Sequence, residues 1–157
     1  MKDSSSSSGP DESCAFDADK LDLKLSITLA GDRDAVDPVV RSVMEVVREL
    51  NCAPGREDHI ELALTEALAN AVIHGNRQDS TKKVHVSCRS TRNGSVDLIV
   101  RDEGPGFDPA SVADPLSDSN LLSGHGRGVY LMKALMDEVR FAKGGKQVHM
   151  RKTRPVR

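Results

Sequence analysis

Between Leu21 and Leu29 the apolar residues Leu21, Leu23, Leu25, Ile27 and Leu29 fall at every second position, the period of a strand with one buried face. The period then changes. Gly31 and Asp32 break the strand, and Val39, Val40, Val43, Val46, Val47 and Leu50 form the stripe of an amphipathic helix, with Pro38 near its first turn and Asp34 or Asp37 available as its cap. A chain that switches from the strand period to the helix period and later returns must lay helices on a sheet, because each half-apolar element has to bury its face against another.

The remaining elements follow the same logic. Asn51 to Gly55 reads as a turn, and a second helix from about Arg56 to His74 stops at Gly75 and Asn76, with Ile60, Ala63, Leu64, Ala67, Leu68, Ala71 and Val72 on its inner face. Val84 and Val86 alternate with polar neighbours, Asn93-Gly94 marks a hairpin, and Val96, Leu98 and Val100 alternate again. From Glu103 to Gly128 glycines interrupt any periodicity, so the stretch reads as a long loop with one short helical turn after Pro109. A helix from about Gly128 to Asp137 and strands around Val139 to Ala142 and Gln147 to Lys152, joined by Gly144-Gly145, close the order. The expected fold is α+β: a two-layer sandwich with helices on one face of a mixed, mostly antiparallel sheet and the other face free.

A chain of 157 residues fits one domain. Residues 21–153 carry the pattern. Met1 to about Lys20, with its serine run from Ser4 to Ser8, is too polar to bury much and reads as a disordered tail; residues 154–157 form a short second tail. A net charge of -2 offers no basic field for nucleic-acid phosphates. No run of apolar residues is long enough to span a bilayer or serve as a secretory signal, so the expectation is a cytoplasmic protein with no membrane partner. Cys14, Cys52 and Cys88 are odd in number and widely spaced, and read as free thiols.

Three motifs carry chemistry. Glu66, Asn70 and His74 recur at every fourth position of the second helix and stack along one side of it, drifting about 40° per step. A carboxylate one turn before an amide suits a proton acceptor beside an Mg²⁺ ligand, since Mg²⁺ keeps several waters and phosphate oxygens and needs few protein ligands. Asp102-Glu103-Gly104-Pro105-Gly106-Phe107 follows a strand; Asp102 can accept from an exocyclic amine such as adenine N6, and Gly104 and Gly106 let a planar base approach the backbone. Gly124-His125-Gly126-Arg127-Gly128 opens a helix at Val129, where exposed N–H groups and the positive dipole end favour phosphate. Taken singly, each has an ordinary alternative: solvated surface residues, a turn without a ligand, and a flexible linker.

In this order the three motifs resemble the ATP-binding fold shared by sensor histidine kinases, type II topoisomerases and heat-shock chaperones, the GHKL or Bergerat type. The wording is similar to the RsbW-type anti-sigma serine kinases of sporulation and stress response, in Leu64-Thr65-Glu66-Ala67-Leu68-Ala69-Asn70-Ala71-Val72-Ile73-His74-Gly75 and again in Leu135-Met136-Asp137-Glu138-Val139. The resemblance spans about Leu21 to Thr153. It implies ATP and Mg²⁺ as cofactors, Glu66 as the base that activates a substrate serine, and Asn70 as the metal ligand. It also implies that Asp102 reads the adenine amine, that Gly104, Gly106 and Phe107 shape its pocket, and that Gly124, Gly126, Gly128 and Val129 close on the phosphates. His74 is grouped with the site, although its place at the helix end also suits capping. Arg127 would face the γ-phosphate or a protein partner.

The implied function is an anti-sigma factor that phosphorylates a small anti-anti-sigma partner of STAS type and sequesters a sigma factor, with a homodimer as the implied assembly. Two other readings accompany it: a nucleotide-dependent binding switch without phosphotransfer, and simple ATP hydrolysis. A serine nucleophile needs a base, which Glu66 supplies. His59 lies seven positions before Glu66 in the same helix and so is not a phosphoacceptor on an upstream dimerising helix. Two departures stand out. Leu121-Leu122 and Gly124 occupy the stretch where some members carry a partner-gripping arginine, and the adenine-pocket threonine of many members has no clear counterpart among Gln147, Val148 and His149.

Overall fold

The computed structural model describes residues 24–106 and 124–155. The tail to Lys20, Cys14, Leu21, Leu23, Phe107, the turn expected after Pro109, the Leu121-Leu122 pair and residues 156–157 lie outside the described residues.

The first strand, β1 (Lys24–Ala30), runs into a single 3-10 turn at Arg33–Ala35 and then α1 (Val36–Glu49). The cap is Asp32 rather than Asp34 or Asp37: its carboxylate accepts the N–H of Asp34 at 3.1 Å, satisfying a donor the 3-10 turn leaves open. Pro38 sits in the first turn of α1 as expected. The buried stripe is Val36, Val40, Val43, Met44 and Val47. Leu50, assigned to that stripe from its spacing, is 40% exposed, because the helix ends at Glu49 and the helical rotation no longer carries it inward.

Helix α2 (Glu57–Asn70) begins with Glu57 and Asp58, whose charges suit the positive end of the helix dipole. It buries every inner-face residue that the spacing selected, and Ala71 to Gly75 continue it as a π turn. Next come β2 (Lys83–Ser90) and β3 (Val96–Asp102), joined through Asn93-Gly94, with Gly94 at φ 80°. After α3 (Gly124–Leu135), β4 (Glu138–Ala142) and β5 (Gln147–Lys152) complete the described chain.

The strands form one sheet in the order β1-β2-β3-β5-β4. Every neighbouring pair is antiparallel, so the sheet is not mixed. Register sets the layers. Ile27, Val86, Val100, Val148 and Phe141 form one cross-strand row, and Leu25, Cys88, Leu98, Met150 and Val139 another; both rows face the helices and join their buried side chains in the core. The alternate rows, such as Thr28, His85, Arg101, Gln147 and Ala142, present the polar outer face. The α+β sandwich expected from the periods is the fold observed, with α2 packed between α1 and α3.

Candidate functional site

Glu66 and Asn70 emerge from the side of α2 that meets α3. The contact is close at Gly128: a Cβ there would lie 2.9 Å from Asn70 Nδ2, 3.1 Å from Glu66 Oε2 and 3.2 Å from Asn70 Oδ1. The absence of a side chain at residue 128 therefore makes room for the acid and the amide to reach the same place. Gly124 to Gly128 do not precede the helix as a loop, as the sequence suggests; they form its first turn. A helix N-terminus leaves its first N–H groups without intrahelical partners, and one turn into this helix Gly128 meets Glu66 and Asn70.

Below this meeting point a cleft runs between α2, α3 and the sheet. Ala67, Asn70, Ala71 and Gly75 form one wall, Val100 and Asp102 the floor, and Phe141, Lys146 and Val148 the far side. Asp102 is the ionisable group at its base, buried to 8% exposure. Burial pushes its carboxyl above the ordinary value, although the Gly104 N–H and the Lys146 charge pull the other way. One oxygen, Oδ1, accepts the Gly104 N–H at 2.8 Å, and the Asp102 N–H donates to the Lys146 carbonyl at 2.9 Å. The carboxylate is thus held at the floor of a largely apolar pocket, the placement expected of a hydrogen-bond acceptor for a flat heterocycle.

Glycine explains how tightly this corner is drawn. A Cβ at Gly104 would lie 1.7 Å from the Gly75 carbonyl oxygen, and one at Gly75 would lie 2.3 Å from Asp102 Oδ2. Gly106, at φ 82°, brings its backbone within 2.2 Å, measured from its would-be Cβ, of the Gly144 carbonyl in the β4–β5 turn.

Of the sequence candidates, Asn70 and Asp102 line the cleft; Glu66 meets Asn70 at Gly128, Gly104 lies against Asp102, and Gly106 lies against the Gly144 carbonyl. Other candidates stand apart. His74 is exposed in the π turn, and Arg127 is exposed on the first turn of α3. The side chain of Val129 is buried in the core, which leaves only its backbone for a ligand. Phe107 lies outside the described residues. Sequence reasoning missed Gly75, read there only as a helix stop, along with Phe141 and Lys146. Their signal is tertiary, since nothing in the spacing of Gly75 or Lys146 announces an approach to Asp102. Val148 lines the cleft on β5, where the sequence offers no threonine counterpart.

The donor set fits a nucleotide with a hard cation. An amide oxygen and a carboxylate sit beside a helix N-terminus, and among the described residues no three His, Cys, Asp or Glu side chains group into an all-protein metal site.

Residues 29–152 match the family model described as Histidine kinase-like ATPase domain. The chain is 33% identical over 101 residues to the anti-sigma F factor of Priestia megaterium, an alignment covering 63% of this chain and 69% of that one. It is also 33% identical over 95 residues to the serine-protein kinase RsbW of Bacillus subtilis, covering 53% of this chain and 55% of that one, so it spans little more than half the length of that relative. A crystal structure of the RsbU and RsbW domains of a Mycobacterium tuberculosis protein matches with a TM-score of 0.59, covering 84% of this chain and 32% of that one at 23% identity; the likeness is one of fold.

Proposed function

Because the chain belongs to the Histidine kinase-like ATPase domain family, we propose that its cleft binds Mg²⁺·ATP and transfers the γ-phosphoryl group to a serine of a protein partner. The observation that carries this reading is the convergence at Gly128, where the carboxylate of Glu66 and the amide of Asn70 lie within about 3 Å of a would-be Cβ on the first turn of α3. Adenine enters the pocket above Val100 and donates its N6–H to Asp102. The N–H groups of the first turn of α3 face the phosphates, to which the helix dipole adds a favourable field. Asn70 would hold the metal through its amide oxygen, and Mg²⁺, when bound there, would neutralise phosphate charge.

Glu66 acts as general base. It takes the proton of the serine hydroxyl as that oxygen forms its bond to the γ-phosphorus, and the bond from phosphorus to the β,γ-bridging oxygen breaks to release ADP. The neutral hydroxyl is a poor nucleophile, which is why a carboxylate belongs at this position. The names of the relatives, an anti-sigma F factor and a serine-protein kinase, support an anti-sigma factor with serine kinase activity; the wider assignment adds a cytoplasmic homodimer that sequesters a sigma factor and phosphorylates an anti-anti-sigma protein of STAS type. Among the described residues no helix is long and apolar enough to cross a membrane.

The test is transfer of label from γ-labelled ATP to a STAS-type partner in the presence of magnesium. Glu66→Gln keeps the shape of the side chain and removes the base, so nucleotide binding should persist while transfer falls by about 10²- to 10⁴-fold. If Glu66→Gln still releases the sigma factor on nucleotide and partner addition, the binding-switch reading replaces the kinase. If label appears only as free phosphate, with or without the partner, simple hydrolysis does.

A further inference from the structure

Asn76, just beyond the π turn, is fully buried. Its side chain joins the two strands that lead to the base of the cleft: Nδ2 donates to the Lys83 carbonyl at the start of β2 at 3.0 Å, and Oδ1 accepts the Glu103 N–H just past β3 at 2.9 Å. Its backbone N–H donates to the Ala71 carbonyl at 2.8 Å, closing the π turn. The Lys83 N–H in turn donates to Glu103 Oε1 at 2.8 Å, which completes a ring of contacts among residues 76, 83 and 103. One amide therefore ties the end of the helix that carries Asn70 to the residue next to Asp102.

The surrounding chain is shaped to keep that amide in place. Arg77 and Gln78 adopt φ of 53° and 57°, in the left-handed region although neither is glycine, a strain that persists only where the surroundings demand it. Gly31 closes over the junction, since a Cβ there would lie 2.5 Å from the Lys82 carbonyl oxygen and 3.4 Å from Asn76 Nδ2. Gly75, the residue before Asn76, is in turn packed against the Asp102 carboxylate.

We propose that Asn76 is a positioning residue for base selection: by fixing the Glu103 backbone it holds Asp102 at the orientation that accepts the exocyclic amine of adenine. The inference rests on the reading of Asp102 given above. Without the amide, the Glu103 N–H and the Lys83 carbonyl lose their buried partners, and the end of β3 shifts to recover them. The shift moves the carboxylate and leaves the apolar walls of the pocket in place. Asn76 touches no nucleotide atom, so its effect must show in discrimination between bases.

The experiment measures equilibrium binding of ATP and of inosine triphosphate, which carries an oxygen in place of the amine, to the full chain with magnesium. The wild type should prefer ATP by about 10²-fold or more, because a site built to accept a hydrogen bond rejects the analogue that cannot donate it. In Asn76→Ala the preference should fall by about tenfold, since a small misplacement of a recognition group is costly, with affinity for inosine triphosphate nearly unchanged. Asn76→Asp keeps the acceptor for the Glu103 N–H and the side-chain shape, and should restore part of the preference; it also decides the matter if the alanine variant does not fold. A preference that survives intact in the folded variant, or a parallel loss for both nucleotides, overturns this inference alone. A wild type with no preference removes the Asp102 reading and this inference with it.

Discussion

At Asp102 a carboxylate is kept at 8% exposure with its pKa raised, burial being the main cause. A folded-state pKa above the unfolded value favours folding below the unfolded pKa, and that advantage is lost as pH rises through the folded value. At neutral pH the charged Asp102 therefore costs stability. Asp102→Asn preserves an oxygen for the Gly104 N–H and removes the buried charge, so the nucleotide-free chain should melt no lower than wild type and ATP affinity should drop about 30- to 100-fold, the worth of one charge-assisted hydrogen bond plus an amide donor facing an amine. Calorimetry and thermal unfolding on the same preparation check both halves; a variant that binds ATP normally ends the assignment. Glu66, Asn70 and Asp102 were legible in the sequence because their residue types carry chemistry and their spacing placed them on a helix side or a strand end. Gly75, Asn76 and Lys146 were not, because each acts by lying against a residue remote in the chain, and no local pattern encodes that.

Among the elements, α3 differs most from its sequence reading. Glycine has the weakest helix propensity after proline, so Gly124 to Gly128 read as loop; in the structure they form a helical turn, and the approach of α2 accounts for the glycine at 128. Gly128→Ala separates the two demands. Alanine favours the helix by about 1 kcal/mol, and its Cβ would press on the ends of Asn70 and Glu66, at 2.9 and 3.1 Å, which are side chains able to turn aside. Thermal stability should stay within about 1 kcal/mol of wild type while phosphotransfer falls at least tenfold, read by label transfer; unimpaired transfer would show that the acid and amide need no such space. The other elements were legible from their periods, since a half-buried strand or helix repeats its apolar residues at its own pitch. Most differences fall at the ends. Leu50 continues the spacing of α1 past the last helical residue, and Asp32 caps a 3-10 turn that no periodicity reveals; within α1, Met44 joins the buried stripe beside the valines.

For the whole molecule, the helices seal one face of the sheet and charge pairing covers part of the other. On that outer face Asp97 is only 7% exposed because Arg151 lies across it, with Nε donating to Oδ1 at 2.6 Å and Nη2 to Oδ2 at 2.9 Å, and His149 Nε2 stands 3.4 Å away. The Arg151 hydrogen bonds, helped by its charge and by His149, hold the Asp97 carboxyl below its ordinary value against the opposing effect of burial. For a depressed folded-state pKa, the added stability is present above the unfolded carboxylate value and is lost as pH falls through the folded one. Asp97→Asn should therefore cost about 1–3 kcal/mol at pH 7, the usual worth of hydrogen bonds to a charged group, and should lose less on acidification than wild type does. Asp102 has the opposite shift, so Asp102→Asn should steepen the acid limb that Asp97→Asn flattens. Urea unfolding of the three proteins from pH 7 to below the carboxylate range measures this. Parallel curves would mean that neither aspartate titrates differently in the folded and unfolded chains, and the electrostatic account of both faces of the sheet would fail together.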